Sequence, residues 1–197
     1  MKKIIILSIF IFITLCSGHV FAGMPAGIAL YLRSGNETYL LLADHSFNSQ
    51  QKRGWAGFGG AADKGETPAQ TAARETEEET RGYFKKEFLI DRLKGKEPLI
   101  DDGFVLFFVE INFVPAQRIG NNSELDADFS YYERGPYAWI PFSDIQKHLK
   151  ERIQKNKTYN VDIDYLPPDC HSRHYWSAWL GNIKAALDRG KLPWLKE

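Results

Sequence analysis

With 197 residues, 44% of them apolar, the chain is long enough to bury a sizeable core, and 25 basic residues are matched by 25 acidic ones. That neutral balance argues against a nucleic-acid polymer as partner, which needs a basic excess. Two cysteines, Cys16 and Cys170, exclude a disulfide framework.

Residues 1–22 read as an export address. Lys2 and Lys3 precede the apolar run 4–15, and Val20-Phe21-Ala22 puts small residues where a signal peptidase reads, so cleavage is expected before Gly23. The product would be periplasmic or secreted, and the membrane would matter only during export. The apolar run is short for a span, and Leu15 is large for the residue before a lipidated cysteine. Next, residues 27–33 and 38–43 are apolar runs joined by the polar Ser34-Gly35-Asn36-Glu37, which predicts a hairpin. Residues 44–53 are polar and are expected to form a loop.

The stretch from Gly60 to Gly82, GAADKGETPAQTAARETEEETRG, carries the chemistry. Thr67 is suited to cap a helix, Pro68 to open it and Gln70 to complete a capping box, which predicts a helix from about Pro68 to Thr80. Helical spacing gathers Ala69, Ala72, Ala73, Thr76 and Thr80 on a small-residue flank that can lie close against a sheet. Glu75, Glu78 and Glu79 gather on the opposite flank, with Arg74 beside them, while Glu77 points elsewhere and is expected to be solvated. Like charges at these spacings repel by about 0.2–0.5 kcal/mol per pair, and acids late in a helix oppose its dipole. A hard divalent cation with oxygen ligands removes both objections.

At these residues the stretch resembles the Nudix hydrolase family, whose motif is G-x5-E-x7-R-E-U-x-E-E-x-G-U, where U is aliphatic. Gly60, Glu66, Arg74, Glu75, Glu78 and Glu79 fall in register. Thr76 stands at the aliphatic position, and Arg81 takes the place of the second glycine, with Gly82 one residue late; these departures bear on the helix exit and remove no carboxylate. The resemblance covers residues 27–150. It implies an α/β fold, a sandwich of helices around a mixed β-sheet, here one domain over residues 23–197 with a helical extension from about residue 151. It also implies metal-dependent hydrolysis of the pyrophosphate linkage in a nucleoside diphosphate joined to another group. Mg²⁺ or Mn²⁺ would be held by Glu75, Glu78 and Glu79, with Glu66 and Arg74 supporting these ligands and Gly59 and Gly60 letting the backbone approach the helix. Lys52 and Arg53, in the loop after the hairpin, are candidates for substrate phosphates, with solvated loop charges as the plainer reading.

Beyond the helix, residues 84–93 are an amphipathic stretch that is not assigned to helix or strand, residues 98–100 suggest a short strand, and residues 104–114, FVLFFVEINFV, predict a strand inside the sheet. Glu110 in that strand faces either the metal site or, as expected, solvent at the strand's end. Residues 116–134 read as a long polar loop with Glu124, Asp126, Asp128 and Glu133. In many Nudix enzymes an acid ahead of a Trp-bearing strand supplies a metal ligand or the base. Trp139 resembles that strand's Trp, so Glu133 joins Glu78 and Glu79 as a candidate catalytic residue. Tyr131 and Tyr132 are candidates for stacking on a base, or core. Residues 142–154 predict a closing helix capped by Ser143. Residues 155–173 are irregular, and the spacing of Cys170, His171 and His174 is not a recognised zinc set. Trp176, Trp179, Leu180, Ile183 and Leu187 then follow helical spacing up to Gly190 and Pro193.

The substrate stays open between nucleotide sugars, ADP-ribose, dinucleoside polyphosphates and (oxidised) NTPs. WAGFGG, residues 55–60, looks like members that act on oxidised purine nucleotides, whereas Pro98 stands near a spacing described for ADP-ribose-cleaving members. The alternative readings are a Nudix-fold binding or regulatory module without turnover, which should have lost its acids, and a metal-handling protein working through the Cys170 region.

Overall fold

The computed structural model describes residues 23–47, 52–122 and 129–196. The expected signal peptide lies outside them, as do Glu124, Asp126 and Asp128. Alternation within each strand explains the architecture. β1 (Ala26–Ser34) and β2 (Glu37–Asp44) form the expected antiparallel hairpin, with Tyr31 opposite Leu40. β3 (Trp55–Ala56) and β4 (Phe58–Gly60) pair with β2 and β1 respectively. β5 (Leu99–Asp101) continues into β6 (Phe104–Glu110), which runs parallel to β1 from Ala26 opposite Val105 to Tyr31 opposite Glu110. β7 (Tyr137–Pro141) lies against β2, with Leu41 opposite Trp139. The result is a seven-stranded mixed sheet.

Both faces of the sheet are buried, which is why its inner strands read as continuous apolar runs. Ile28, Leu30, Leu41 and Phe107 face Ala72 and Ala73 of α1 (Pro68–Glu79) and Leu89 of α2 (Lys86–Leu93). The alternate residues Ala29, Leu40, Leu42 and Phe108 face Ile145 of α4 (Phe142–Gln146) and Trp179, Leu180 and Ile183 of α5 (Ser177–Asp188). Each large side chain buried in this way contributes roughly 1.5–3 kcal/mol before conformational entropy is counted. A short α3 (Ala116–Gly120) interrupts what the sequence suggests is one long loop.

Three expectations need correction. The strand expected over residues 104–114 ends at Glu110, whose carboxylate pairs with Arg33 at the sheet's end (2.6 Å). The helix expected over residues 142–154 stops at Gln146, and Pro141, not Ser143, precedes it without a side-chain cap. Its continuation tightens into turns, His148 N–H to the Ile145 carbonyl and Leu149 N–H to the Gln146 carbonyl, while Asp144 accepts from the Tyr175 hydroxyl (2.6 Å). The chain must turn there to carry Tyr159 and Val161 back into the core. Third, Glu77 is not fully solvated: its side chain is half-buried and lies 3.7 Å from Lys85.

Candidate active site

Helix α1 is fixed at its start by the expected capping box. Thr67 N–H donates to Gln70 Oε1 (2.9 Å), and Gln70 N–H donates to Thr67 Oγ1 (3.3 Å). Thr76, standing where the motif has an aliphatic residue, is buried and donates its hydroxyl to the Ala72 carbonyl (2.7 Å), so its polarity is satisfied inside the helix. At the helix exit Arg81 itself adopts the left-handed conformation (φ 54°) that glycine usually supplies. Its guanidinium donates to the Gly120 carbonyl and its own carbonyl accepts from the Asn122 side chain, which hold that conformation in place.

One cleft of about 910 Å³ receives Glu75, Glu78, Glu79 and Glu133 together. Arg74 organises the first two: its Nη1 donates to Glu75 (3.0 Å) and Glu78 (3.1 Å), while Nε and Nη2 grip Glu66 (2.9 and 3.1 Å). Glu66 also accepts from Asp63 N–H and the Thr71 hydroxyl, both at 3.0 Å. The Arg74 guanidinium and these donors hold the Glu66 carboxyl down at about 2. Glu79 is 2% exposed and accepts from Gly59 N–H and from Arg134 Nε, both at 2.7 Å. Burial nonetheless pushes its carboxyl up to about 8, and burial likewise raises Glu75 and Glu78 against the pull of Arg74. Gly60 permits this crowding, since a Cβ there would sit 2.3 Å from a Glu75 carboxylate oxygen.

Among the described residues no three His, Cys, Asp or Glu side chains are drawn together tightly enough to hold a metal ion. The donor set nevertheless fits one: three carboxylates line one cleft, are disfavoured as anions by their burial, and are drawn apart toward Arg74 and Arg134. Hard oxygen donors of this kind suit a small divalent cation.

The remaining candidates divide. Glu133 stands half exposed at the rim, 3.2 Å from Arg134 Nη1. Arg53 lines the cleft with its guanidinium 5.0 Å from the centre of the Trp176 ring. Lys52 lines an adjoining depression, and Tyr131 and Tyr132 are not among the cleft-lining residues, the Tyr132 ring lying under Arg81 (5.7 Å). His171 donates its backbone N–H to Asp44, and His174 Nδ1 lies 3.1 Å from the Ser172 hydroxyl. Sequence reasoning missed Arg134, 55 residues from the Glu79 it binds; its one signal was adjacency to Glu133. It also assigned no residues to the facing wall, where Arg152, Lys155, Trp176 and Trp179 join the cleft.

That wall is fastened to the sheet through Trp55. Trp55 N–H donates to the His174 carbonyl (2.8 Å), its indole donates to the Ser172 carbonyl (2.8 Å), and its own carbonyl accepts from Trp176 N–H (2.9 Å). Gly54, at φ 90°, leaves room for this strap, since a Cβ there would lie 2.3 Å from the His174 carbonyl oxygen.

The family model of the NUDIX domain matches residues 23–160. Among solved structures, an Ap4A hydrolase from C. elegans is 20% identical (TM-score 0.36, covering 64% of this chain and 85% of that one). A MutT/nudix family protein from Enterococcus faecalis is 11% identical (TM-score 0.44, covering 93% of this chain and 68% of that one). No curated protein matches significantly. The family match takes in the sheet, the acidic helix and the Glu133 loop, and with it this chain belongs to the Nudix family of pyrophosphohydrolases.

Proposed function

We propose that this protein hydrolyses the pyrophosphate linkage of a nucleoside diphosphate joined to another group, with Mg²⁺ or Mn²⁺ held by Glu75, Glu78 and Glu79. The observation that carries this reading is the opening of three glutamates of one helix, Glu79 all but buried, into a single cleft. A divalent cation bound there would neutralise the pyrophosphate and lower the pKa of water.

This chain's own groups supply the rest. Glu133, or one of the helix glutamates, takes the proton of the attacking water. The water oxygen bonds to one phosphorus, the bridging P–O bond breaks, and the two products leave with terminal phosphates. Arg74 and Glu66 hold Glu75 and Glu78 in register, and Gly59 N–H holds Glu79. The mature chain would act outside the cytoplasm as one domain, residues 23–197.

A phosphate-release screen with Mg²⁺ over nucleotide sugars, ADP-ribose, dinucleoside polyphosphates and oxidised dNTPs tests the proposal. Product from at least one class, abolished by EDTA and restored by Mg²⁺ or Mn²⁺, is expected; turnover undiminished in EDTA would contradict it.

A further inference from the structure

Beside the catalytic cleft lies a second depression of about 320 Å³, which shares Arg53, Lys155, Trp176 and Ser177 with it. Among the described residues four cations line this annex, Lys52, Arg53, Lys155 and Lys157, together with His174, and no Asp or Glu does. Cations gathered in one concavity repel each other and focus a positive potential on whatever enters. Arg53 lies with its guanidinium 5.0 Å from the centre of the Trp176 ring, and Lys157 rests on the ring of Tyr159 (5.7 Å), a contact that leaves the ammonium charge uncancelled. Lys155 forms no ion pair with a described residue.

The opposite end of the cleft has the other sign. Asp101, Asp102 and Asp188 line it, and the cations beside them, Lys184 and Arg189, are each held by one of these acids, Lys184 by Asp188 (2.5 Å) and Arg189 by Asp101. An anionic chain laid along the glutamates therefore has one favourable direction in which to continue, past Arg53 and Lys155 into the annex. A neutral sugar in that position would leave the lysines facing one another.

We infer that the annex binds phosphates beyond the scissile bridge, which makes the preferred substrate a nucleoside polyphosphate with at least three phosphates in a row rather than a nucleotide sugar or ADP-ribose. This rests on the reading of the cleft as a metal-dependent pyrophosphohydrolase site, and it adds Lys155 and Lys157 as specificity-determining residues.

The test pairs binding with turnover. Inorganic tripolyphosphate, titrated calorimetrically, should bind the wild type and bind Lys155→Ala/Lys157→Ala at least tenfold more weakly, with Lys155→Arg/Lys157→Arg restoring affinity to within threefold. With Mg²⁺, the ratio of kcat/KM for ATP or a dinucleoside tetraphosphate to that for ADP-ribose should fall at least tenfold in the alanine variant, through KM. Equal tripolyphosphate affinity in wild type and alanine variant, or an unchanged ratio, overturns the inference. A wild-type preference of more than tenfold for a 5′-triphosphorylated oligoribonucleotide over ATP overturns the assignment to a small molecule. Failure of the underlying hydrolase reading looks different: no substrate turns over with Mg²⁺ or Mn²⁺, while tripolyphosphate still binds the wild type and is lost in the alanine variant.

Discussion

The two walls of the cleft are held in place in different ways. On the α1 wall, Arg74 binds Glu66, Glu75 and Glu78, and a capping box sets the start of the helix, so nearly every partner lies within about a dozen residues of the next. On the α5 wall, Trp176 and His174 are placed by backbone bonds to Trp55, more than a hundred residues away, and Tyr175 is tied to Asp144. A wall built locally keeps its geometry while the rest of the fold breathes, which suits groups proposed to share a cation. A wall strapped on from a distance can change its lining without disturbing the glutamates, which suits the substrate-selecting role proposed for it.

Breaking the α1 wall should cost most. Glu79→Gln is expected to lower turnover at least about 100-fold at saturating Mg²⁺ while the far-UV circular dichroism stays native, because a neutral amide keeps the shape and loses the charge. Turnover near the wild-type level would remove Glu79 from the metal site.

Breaking the α5 wall should cost stability first. Gly54→Ala puts a Cβ into the His174 carbonyl and into a left-handed backbone, an expected loss of about 2–3 kcal/mol in denaturant unfolding. Its effect on turnover of the folded fraction should be smaller than that of Glu79→Gln. A larger effect on turnover than on stability would mean that the strap, and not the glutamates, sets the chemistry.

A smaller effect, confined by pH, is expected at Glu66. Its carboxyl titrates lower in the fold, at about 2, than its ordinary value of 4.5, so the fold prefers the anion. The resulting stabilisation is complete above about pH 4.5 and fades as pH falls toward 2. Glu66→Gln should therefore be less stable than wild type by about 1–2 kcal/mol at neutral pH, with the gap closing in acid. A gap constant with pH would place the loss in packing rather than in the Arg74 ion pair.

The smallest effect belongs to Glu77→Gln. Glu77 lies on the same acidic run but turns toward Lys85, away from the cleft, so kcat should change by less than about twofold. A loss comparable to that at Glu79 would invert the assignment of helix faces.

What could be read from the sequence follows the same division. The hairpin, α1 with its cap, and the flank carrying Glu75, Glu78 and Glu79 could all be read, because periodicity, capping and charge repulsion act within a few residues. The role of Arg74 was legible for the same reason. Arg134 was not, since its partner Glu79 is distant in the chain and only the packing of β7 and its preceding loop brings them together. The end of α4 was missed because no local stop signal marks it, while the segment that follows returns Tyr159 and Val161 to the core. Trp176 and Trp179 follow helical spacing in the sequence; Trp179 is buried at 6% exposure, yet with Trp176, just ahead of α5, it also forms the cleft's far side, a role that helical spacing does not reveal.

The account stands on a divalent cation shared by the α1 glutamates. The most direct measurement is titration with Mn²⁺, followed by electron paramagnetic resonance, of wild type, Glu78→Gln and Glu77→Gln. Binding at least tenfold weaker in Glu78→Gln, with Glu77→Gln like wild type, is the predicted result; equal binding in all three proteins would contradict it.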